Sequence, residues 1–476
     1  MVLGLVLFYW GGALPLALTG LLIFGALALA RPDLGLLFVP LTMPLYLIPS
    51  AIPGLRGDAS KPFLLPVHEA VLLVVAAATV AGWGWRFFFT PHAPRPRPQI
   101  MPARLLREYA PQLLFLAAGM WGLLIAIVRA PALIEFRRLI AEPLLFYALL
   151  KFQKERQATD QCAAYSQYLL VFILSGALVG LLGLLQYVGL DLVPYFGTKQ
   201  CFAPDGGVCS NIVADGGVRR VLSVYGHPNN LGLYLGRVWP IAAALALVDQ
   251  GRKTKDQRLP RLVFGLSSLV CLGGILVSFS RGAWLGALAA LAVLALPFLR
   301  ARFGGRAAPA LVGLGVVLAA LAGLGLTVRG DVAGGSTPVR LLLWREAIGY
   351  IRLHPLGIGL DQFVQYHDPN SGRSLIDRSL IGTSEQFAAH PHNLLLDIWL
   401  RLGPLGLAAF GWLLVRFFSA GRASLRDPVA LGALAAMTAA LVHGLVDNFY
   451  FVSDLALAFW LLIALVEAAR AADERR

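Results

Sequence analysis

His390-Pro-His-Asn-Leu-Leu-Leu-Asp-Ile-Trp-Leu-Arg-Leu-Gly-Pro-Leu-Gly406 opens an apolar run that continues to residue 418. A helix needs about 20 such residues to cross a hydrocarbon core of about 30 Å, and this run is long enough. His392 and Asn393 stand where a long polar loop gives way to the run. Similar runs recur near residues 11–30, 33–49, 64–86, 111–129, 134–152, 164–189, 229–248, 261–279, 283–299, 308–328, 429–446 and 452–470. The 476 residues are 58% hydrophobic and only 14% charged, whereas a soluble chain carries about 25% charged residues. Mean hydropathy is +0.71. These values exclude a soluble globular domain. They predict an all-α integral membrane protein of about 12–13 transmembrane helices, because only helices or closed barrels satisfy their backbone in lipid.

The formal net charge of +14 has a topological reading rather than a nucleic-acid one. Lys and Arg gather in short loops, as cytoplasmic loops require: Arg86 to Arg107, Lys151 to Arg156, Arg252 to Arg261, Arg300 to Arg306 and Arg416 to Arg426. From residue 86 every second loop is basic, which puts loops 190–228 and 329–393 outside the cytoplasm. Residues 1–30 lack a basic leader and read as a retained first helix. Pro91-His-Ala-Pro-Arg-Pro-Arg-Pro98 reads as a stiff cytoplasmic linker. Cys201 and Cys209 fall in an outer loop, where either a disulfide or two free thiols is compatible with an oxidising compartment. The chain divides into N-terminal helices 1–210, a central segment 211–420 containing loop 329–393, and C-terminal helices 421–476. That loop reads as too short for an independent core but long enough for a lid. Within it an amphipathic helix at the membrane interface fits 339–352, with Thr337-Pro338 as its start signal.

Four polar clusters border the apolar runs on the outer side. They are Arg219-Arg220 with His227-Pro-Asn229-Asn230; Ser278-Phe-Ser280-Arg281-Gly282 between two membrane helices; Arg340 with Trp344 and Arg345; and His390/His392-Asn393, with Asp397 one turn on. An arginine in so short an outer turn as 278–282 is disfavoured unless it works. Two readings apply to Arg281 and Arg340: snorkelling to lipid headgroups, or a bidentate fork for a diphosphate. Arg220 has the same pair of readings. His392 at the membrane edge can exchange a proton near neutral pH. His227 and Asn229 suit a helix cap as well as a ligand role. His390 and His392 at i, i+2 lack an evident carboxylate partner and make a poor metal site, so no metal and no cofactor is expected. His443 and Asp447 lie in an apolar segment, the first suited to bonding a neighbouring helix, the second to pairing with an arginine.

These residues resemble the O-antigen ligase / O-antigen polymerase superfamily of polytopic membrane glycosyltransferases. His392-Asn393, nine residues, Gly403, two residues, Gly406 fits the signature His-[Asn/Ser/Gln]-x9-Gly-x2-[Gly/Thr/Tyr]. Ser280-Arg-Gly-Ala-Trp-Leu-Gly286, Arg340-x3-Trp344 and the His227-Pro-Asn-Asn helix start are similar to its other blocks, in order over about residues 215–410. The resemblance implies a GT-C-like fold in the bacterial cytoplasmic (inner) membrane, with the active site on the extracytoplasmic face. It implies inverting, metal-independent transfer of a glycan from undecaprenyl diphosphate to lipid A-core or another glycan. His392 would be the catalytic base and Arg281 and Arg340 the essential arginines, with Arg220 beside them. Asn393, His227, Asn229, Ser280, Trp344 and Asp397 would support them.

The chemistry of the residue types agrees. Arginines in a low-dielectric cleft neutralise a departing diphosphate, and a histidine suits the acceptor's proton. If so, His392, Arg281 and Arg340 line one outward-facing cavity. Ligase and polymerase share this donor chemistry and differ in acceptor, as does a protein O-glycosylating enzyme. A lipid or polysaccharide transporter or flippase is the different class, but it would place polar residues at the bilayer midplane.

Overall fold

The computed structural model describes residues 1–52, 63–89, 103–156, 161–199, 212–215, 218–247, 258–328 and 337–474. The linker at 91–98 and both Cys201 and Cys209 lie outside the described residues.

The molecule is a helical bundle. Its N-terminal part holds α1 (Val2–Trp10), α2 (Leu14–Ala30), α3 (Pro32–Leu36), α4 (Phe38–Thr42), α5 (Val67–Phe89) and α6 (Ala103–Leu124). Then come α7 (Arg129–Glu135), a π-helical turn (Phe136–Ala141), α8 (Glu142–Arg156) and α9 (Gln161–Tyr187). The central part contains α10 (Pro228–Leu247), α11 (Arg258–Val277), α12 (Arg281–Leu294) and α13 (Leu296–Val328), followed by α14 (Thr337–Leu353) and α15 (Phe363–His367). The chain closes with α16 (Leu394–Ala423), α17 (Pro428–Gly444) and α18 (Ser453–Asp473). Two antiparallel hairpins, 50–52 with 63–65 and 212–215 with 218–221, are the described strands.

Among the described residues, five helices are long and apolar enough to cross a membrane, within α5, α9, α10, α16 and α18; Arg281–Leu294 and Leu296–Arg306, bent by 58°, form a sixth candidate. The apolar helices α2, α17 and Arg261–Val277 are shorter. The run predicted at 33–49 is not one helix. It breaks into α3, α4 and a 3-10 turn, with Pro32, Pro40 and Pro44 each removing a backbone donor. The run at 134–152 is likewise interrupted by the π-turn.

Burial is concentrated in α10, α17 and α18, which are enclosed on nearly every side. α10 packs on α11 and α17, α12 on α17, and α16 on α6. Caps fix where several of these helices start. Ser280 accepts from Ala283 N at the start of α12, and Asp427 accepts from Val429 N and Ala430 N at the start of α17, where Pro428 is the first residue.

Between α13 and α16 the long loop forms a small core of its own. Leu343, Ala347 and Tyr350 of α14 pack with Ile358, Phe363, Tyr366 and Leu380, and with Leu400 of α16. The apolar side of α14 therefore faces protein.

Candidate active site

α16 begins at His392-Asn393 because the Asn393 side chain caps it. Its Oδ1 accepts from Leu395 N and Leu396 N (3.1 Å each), and its Nδ2 donates to Leu445 O (2.9 Å), tying the cap to the end of α17. His392 adopts φ +50°, a left-handed conformation that costs a side-chain-bearing residue about 1–3 kcal/mol. The Trp344 indole holds it there, donating to the His392 carbonyl (3.3 Å).

The spacing to Gly403 has a backbone explanation. Pro404 has no N–H, so Leu400 O lacks its helical partner. That carbonyl accepts instead from Ile358 N (2.7 Å) and Gly359 N (3.1 Å) of the long loop. Gly403 sits at φ +67°, and a Cβ there would come within 2.5 Å of Leu356 O. Leu360 N donates to Gly122 O (3.0 Å), and Gln362 Oε1 accepts from Ile127 N and Val128 N (3.0 and 2.9 Å). The helix break is therefore the dock that fastens the long loop across α6 and α16.

The cluster is centred on Asp447, in the buried turn between α17 and α18. Its Oδ1 lies 3.2 Å from His392 Nδ1 and accepts from Asn448 N (2.7 Å). Its Oδ2 lies 3.6 Å from Arg340 and accepts from Asn229 Nδ2. The Asn229 Oδ1 in turn accepts from Arg220 (3.2 Å), which also donates to Ser278 O (3.2 Å). His227 Nδ1 accepts from Asn229 N (3.1 Å). The His390 ring lies beside that of His392, tilted by 52° with centroids 4.3 Å apart, its Nε2 3.9 Å from Asp447. On the other side, His392 Nε2 is 3.8 Å from Glu385 Oε2. Buried Arg237 of α10 donates to Phe449 O and so braces the turn that carries Asp447.

Charge follows from these contacts. Burial by itself would lower the His392 pKa, but Asp447 and Glu385 outweigh it and raise the group to about 9. Burial would likewise raise Asp447, yet His390, His392 and Arg340 hold it well below the ordinary carboxylate range. Desolvation pushes His227 down to about 4 and His390 also downward. At neutral pH Arg220, Arg340 and His392 are cations facing the Asp447 and Glu385 anions, a net positive cluster suited to an anionic ligand.

The structure thus brings His392, Arg340, Arg220, Asn229, His227, Asn393 and Trp344 around one carboxylate. Ser280 reaches the cluster through His443, whose Nε2 is 3.4 Å from its hydroxyl. Arg281 opens α12 directly after Ser280. Asp397 lies beneath the site, bound to Arg401 (2.7 Å); Arg401 also binds Glu135 and donates to Ala389 O (3.3 Å). Sequence reasoning left out Asp447 as the hub and Glu385 as a partner of His392. An acid interrupting an apolar segment was the available signal for Asp447. For Glu385, seven residues from His392, no pattern existed.

The donor atoms of His390, His392 and Asp447 lie within 4.8 Å of one another. Asp447 nevertheless already faces Arg340, Asn229, His392 and Asn448 N, so the trio is a charge-compensated cluster rather than an open ligand set. An apolar groove of about 490 Å³ is lined by Leu394, next in the chain to Asn393, and by Leu395, Phe410, Leu414, Leu441 and Leu445.

Residues 266–411 match the family model of the O-Antigen ligase. The chain is a multi-pass, all-α membrane protein, and the matched stretch, which contains Arg281, Arg340 and His392, is similar to the O-antigen ligases. That match supports the resemblance to the O-antigen ligase/polymerase superfamily. No curated protein matches the chain.

Proposed function

We propose that the protein transfers a glycan from an undecaprenyl-diphosphate carrier to an acceptor hydroxyl, at the extracytoplasmic face of the bacterial inner membrane. The observation that carries this reading is the shared carboxylate: Asp447 holds His392 at 3.2 Å and Arg340 at 3.6 Å, which puts a proton-handling group beside an anion-binding one. In this reading Arg340, Arg281 and Arg220 take the diphosphate, whose developing charge a preorganised guanidinium stabilises without metal. His392 receives the acceptor's proton through Nε2, the nitrogen turned away from Asp447, once that nitrogen has lost its own. Attack from the face opposite the diphosphate inverts the anomeric centre. The apolar groove lined by Leu394 and Leu445 supports a lipid-borne donor, since Leu394 follows Asn393 in the chain and the Leu445 carbonyl accepts from the Asn393 side chain.

The test is transfer by the purified protein, with labelled undecaprenyl-diphosphate glycan and lipid A-core, with and without EDTA. Product on lipid A-core, indifferent to EDTA and reduced about 10²–10⁴-fold in His392→Ala, is the expected result. A ladder of lengthening lipid-linked glycan instead makes the protein a polymerase. Full activity in the variant removes His392 from the chemistry.

A further inference from the structure

We propose that Glu385 is a proton relay of this site, taking the Nε2 proton of His392 so that the imidazole can receive the acceptor's. The proposal rests on the glycan-transfer reading above. Both ring nitrogens of His392 face carboxylates: Nδ1 faces Asp447 at 3.2 Å and Nε2 faces Glu385 at 3.8 Å. A ring placed so carries a proton on each nitrogen and has no lone pair for a substrate, in keeping with its pKa of about 9. To act as a base it must lose one proton. Asp447 is poorly suited to receive it, being buried and already bonded by Asn229 and Asn448 N beside Arg340. The Glu385 side chain is 28% exposed and can pass a proton to water. A hydroxyl oxygen off the Nε2–Oε2 line can lie about 2.8 Å from both atoms.

The loop is built to hold Glu385 there. Glu385 sits in a 3-10 turn (Ser384–Phe387), whose start is capped by Thr383 Oγ1 accepting from Glu385 N (3.2 Å). Its carbonyl accepts from Nε2 of His367 (2.8 Å), a fully buried residue. His367 Nδ1 is 2.9 Å from Glu346, which also accepts from Tyr350 Oη (2.8 Å). Burial would lower the His367 pKa, but the Glu346 carboxylate at Nδ1 and the Glu385 carbonyl at Nε2 raise it, and these two contacts position the turn. His367 is a positioning residue in this scheme.

The step balances as follows. As the acceptor enters, the Nε2 proton moves to the Glu385 carboxylate, leaving a neutral imidazole and a carboxylic acid. The acceptor oxygen then forms its bond to the anomeric carbon while its proton moves to Nε2. The carbon–oxygen bond to the diphosphate breaks, its electron pair leaving on the diphosphate. Glu385 finally gives its proton to water, and His392 is again the imidazolium. The charged and titratable groups around that ring are Asp447, Glu385, Arg340, His390 and His227.

The experiment compares the full-length wild type with Glu385→Gln and Glu385→Asp in nanodiscs. It reads the pH profile of kcat/KM for the undecaprenyl-diphosphate glycan and the His392 titration by nitrogen-15 NMR. In Glu385→Gln the His392 titration should fall by about one unit or more, because an opposing charge is lost. The wild type works as imidazolium plus carboxylate, so its kcat/KM should show no limb at the His392 titration; Glu385→Gln should acquire one, with a plateau lower by about tenfold or more. Glu385→Asp should keep the wild-type profile and recover part of the plateau. A wild-type limb at the His392 titration that merely shifts in Glu385→Gln, with an unchanged plateau, would reduce Glu385 to an electrostatic neighbour and overturn the relay. So would a lost plateau with no limb acquired, the mark of a purely structural role. If the wild type itself transfers nothing, the glycan-transfer reading fails, and the relay with it.

Discussion

His392 meets two carboxylates at once, and that fixes the sign of its pH dependence. Its pKa is raised to about 9, so below that pH it is an imidazolium and cannot accept a proton. If it is the base and must deprotonate before the acceptor binds, kcat/KM of the free enzyme rises about tenfold per pH unit through the neutral range and levels near pH 9; if Glu385 takes the proton, the profile is flat across that range. Asp447→Asn removes the closer of the two carboxylates, so the His392 titration should move to lower pH. The variant should also lose stability, because Arg340 and His392 would be left beside a neutral amide. His392 was legible as a proton-transfer candidate from its place at a polar edge. Its protonation state was not, because both responsible acids are remote or unpatterned in sequence. Arg220 illustrates the same limit: adjacent arginines in a loop say little until Asn229 links one of them to Asp447.

At the scale of elements, the nine-residue spacing from Asn393 to Gly403 is a capped helical segment ending in a break. Gly403→Ala should be costly twice over, through a positive φ and a Cβ driven against Leu356 O. A loss of about 2 kcal/mol or more is expected, read as a lower melting temperature of the detergent-solubilised protein. Pro404→Ala is the informative companion. It restores an N–H that competes for Leu400 O, so it should loosen the loop, seen as faster amide exchange at Ile358 and Gly359, while sparing the bundle. Unchanged exchange at those two amides would show that the break is not what docks the loop. The amphipathic pattern of 339–352 was readable, and a helix is there. What its apolar side packs on was not: Phe363, Tyr366 and Leu400 cover it, and the loop gains a core that its length alone did not suggest.

For the whole molecule, the starts of α10, α12 and α16 and the turn between α17 and α18 meet at one end of the bundle. The basic loops predict that this end faces away from the cytoplasm. In a cysteine-free background, a cysteine replacing exposed Arg373 should react with a membrane-impermeant maleimide in intact cells. One replacing exposed Arg422, near the far end of α16, should react only after lysis. The reverse pattern would put the site inside and exclude an extracytoplasmic transferase.

Composition and hydrophobic spacing by themselves determined that the chain is a helical membrane protein, because a bilayer tolerates few alternatives for a polypeptide this apolar. Local motifs determined where helices start and break, since caps, prolines and positive-φ glycines act over a few residues. Convergence belonged to the tertiary structure. His392 and Asp447 are 55 residues apart, and Asn229 and Asp447 218 apart. Only the packing of α10 and α12 on α17 brings such residues to one carboxylate. Their charges follow from that burial and proximity, which depend on distance through space rather than along the chain.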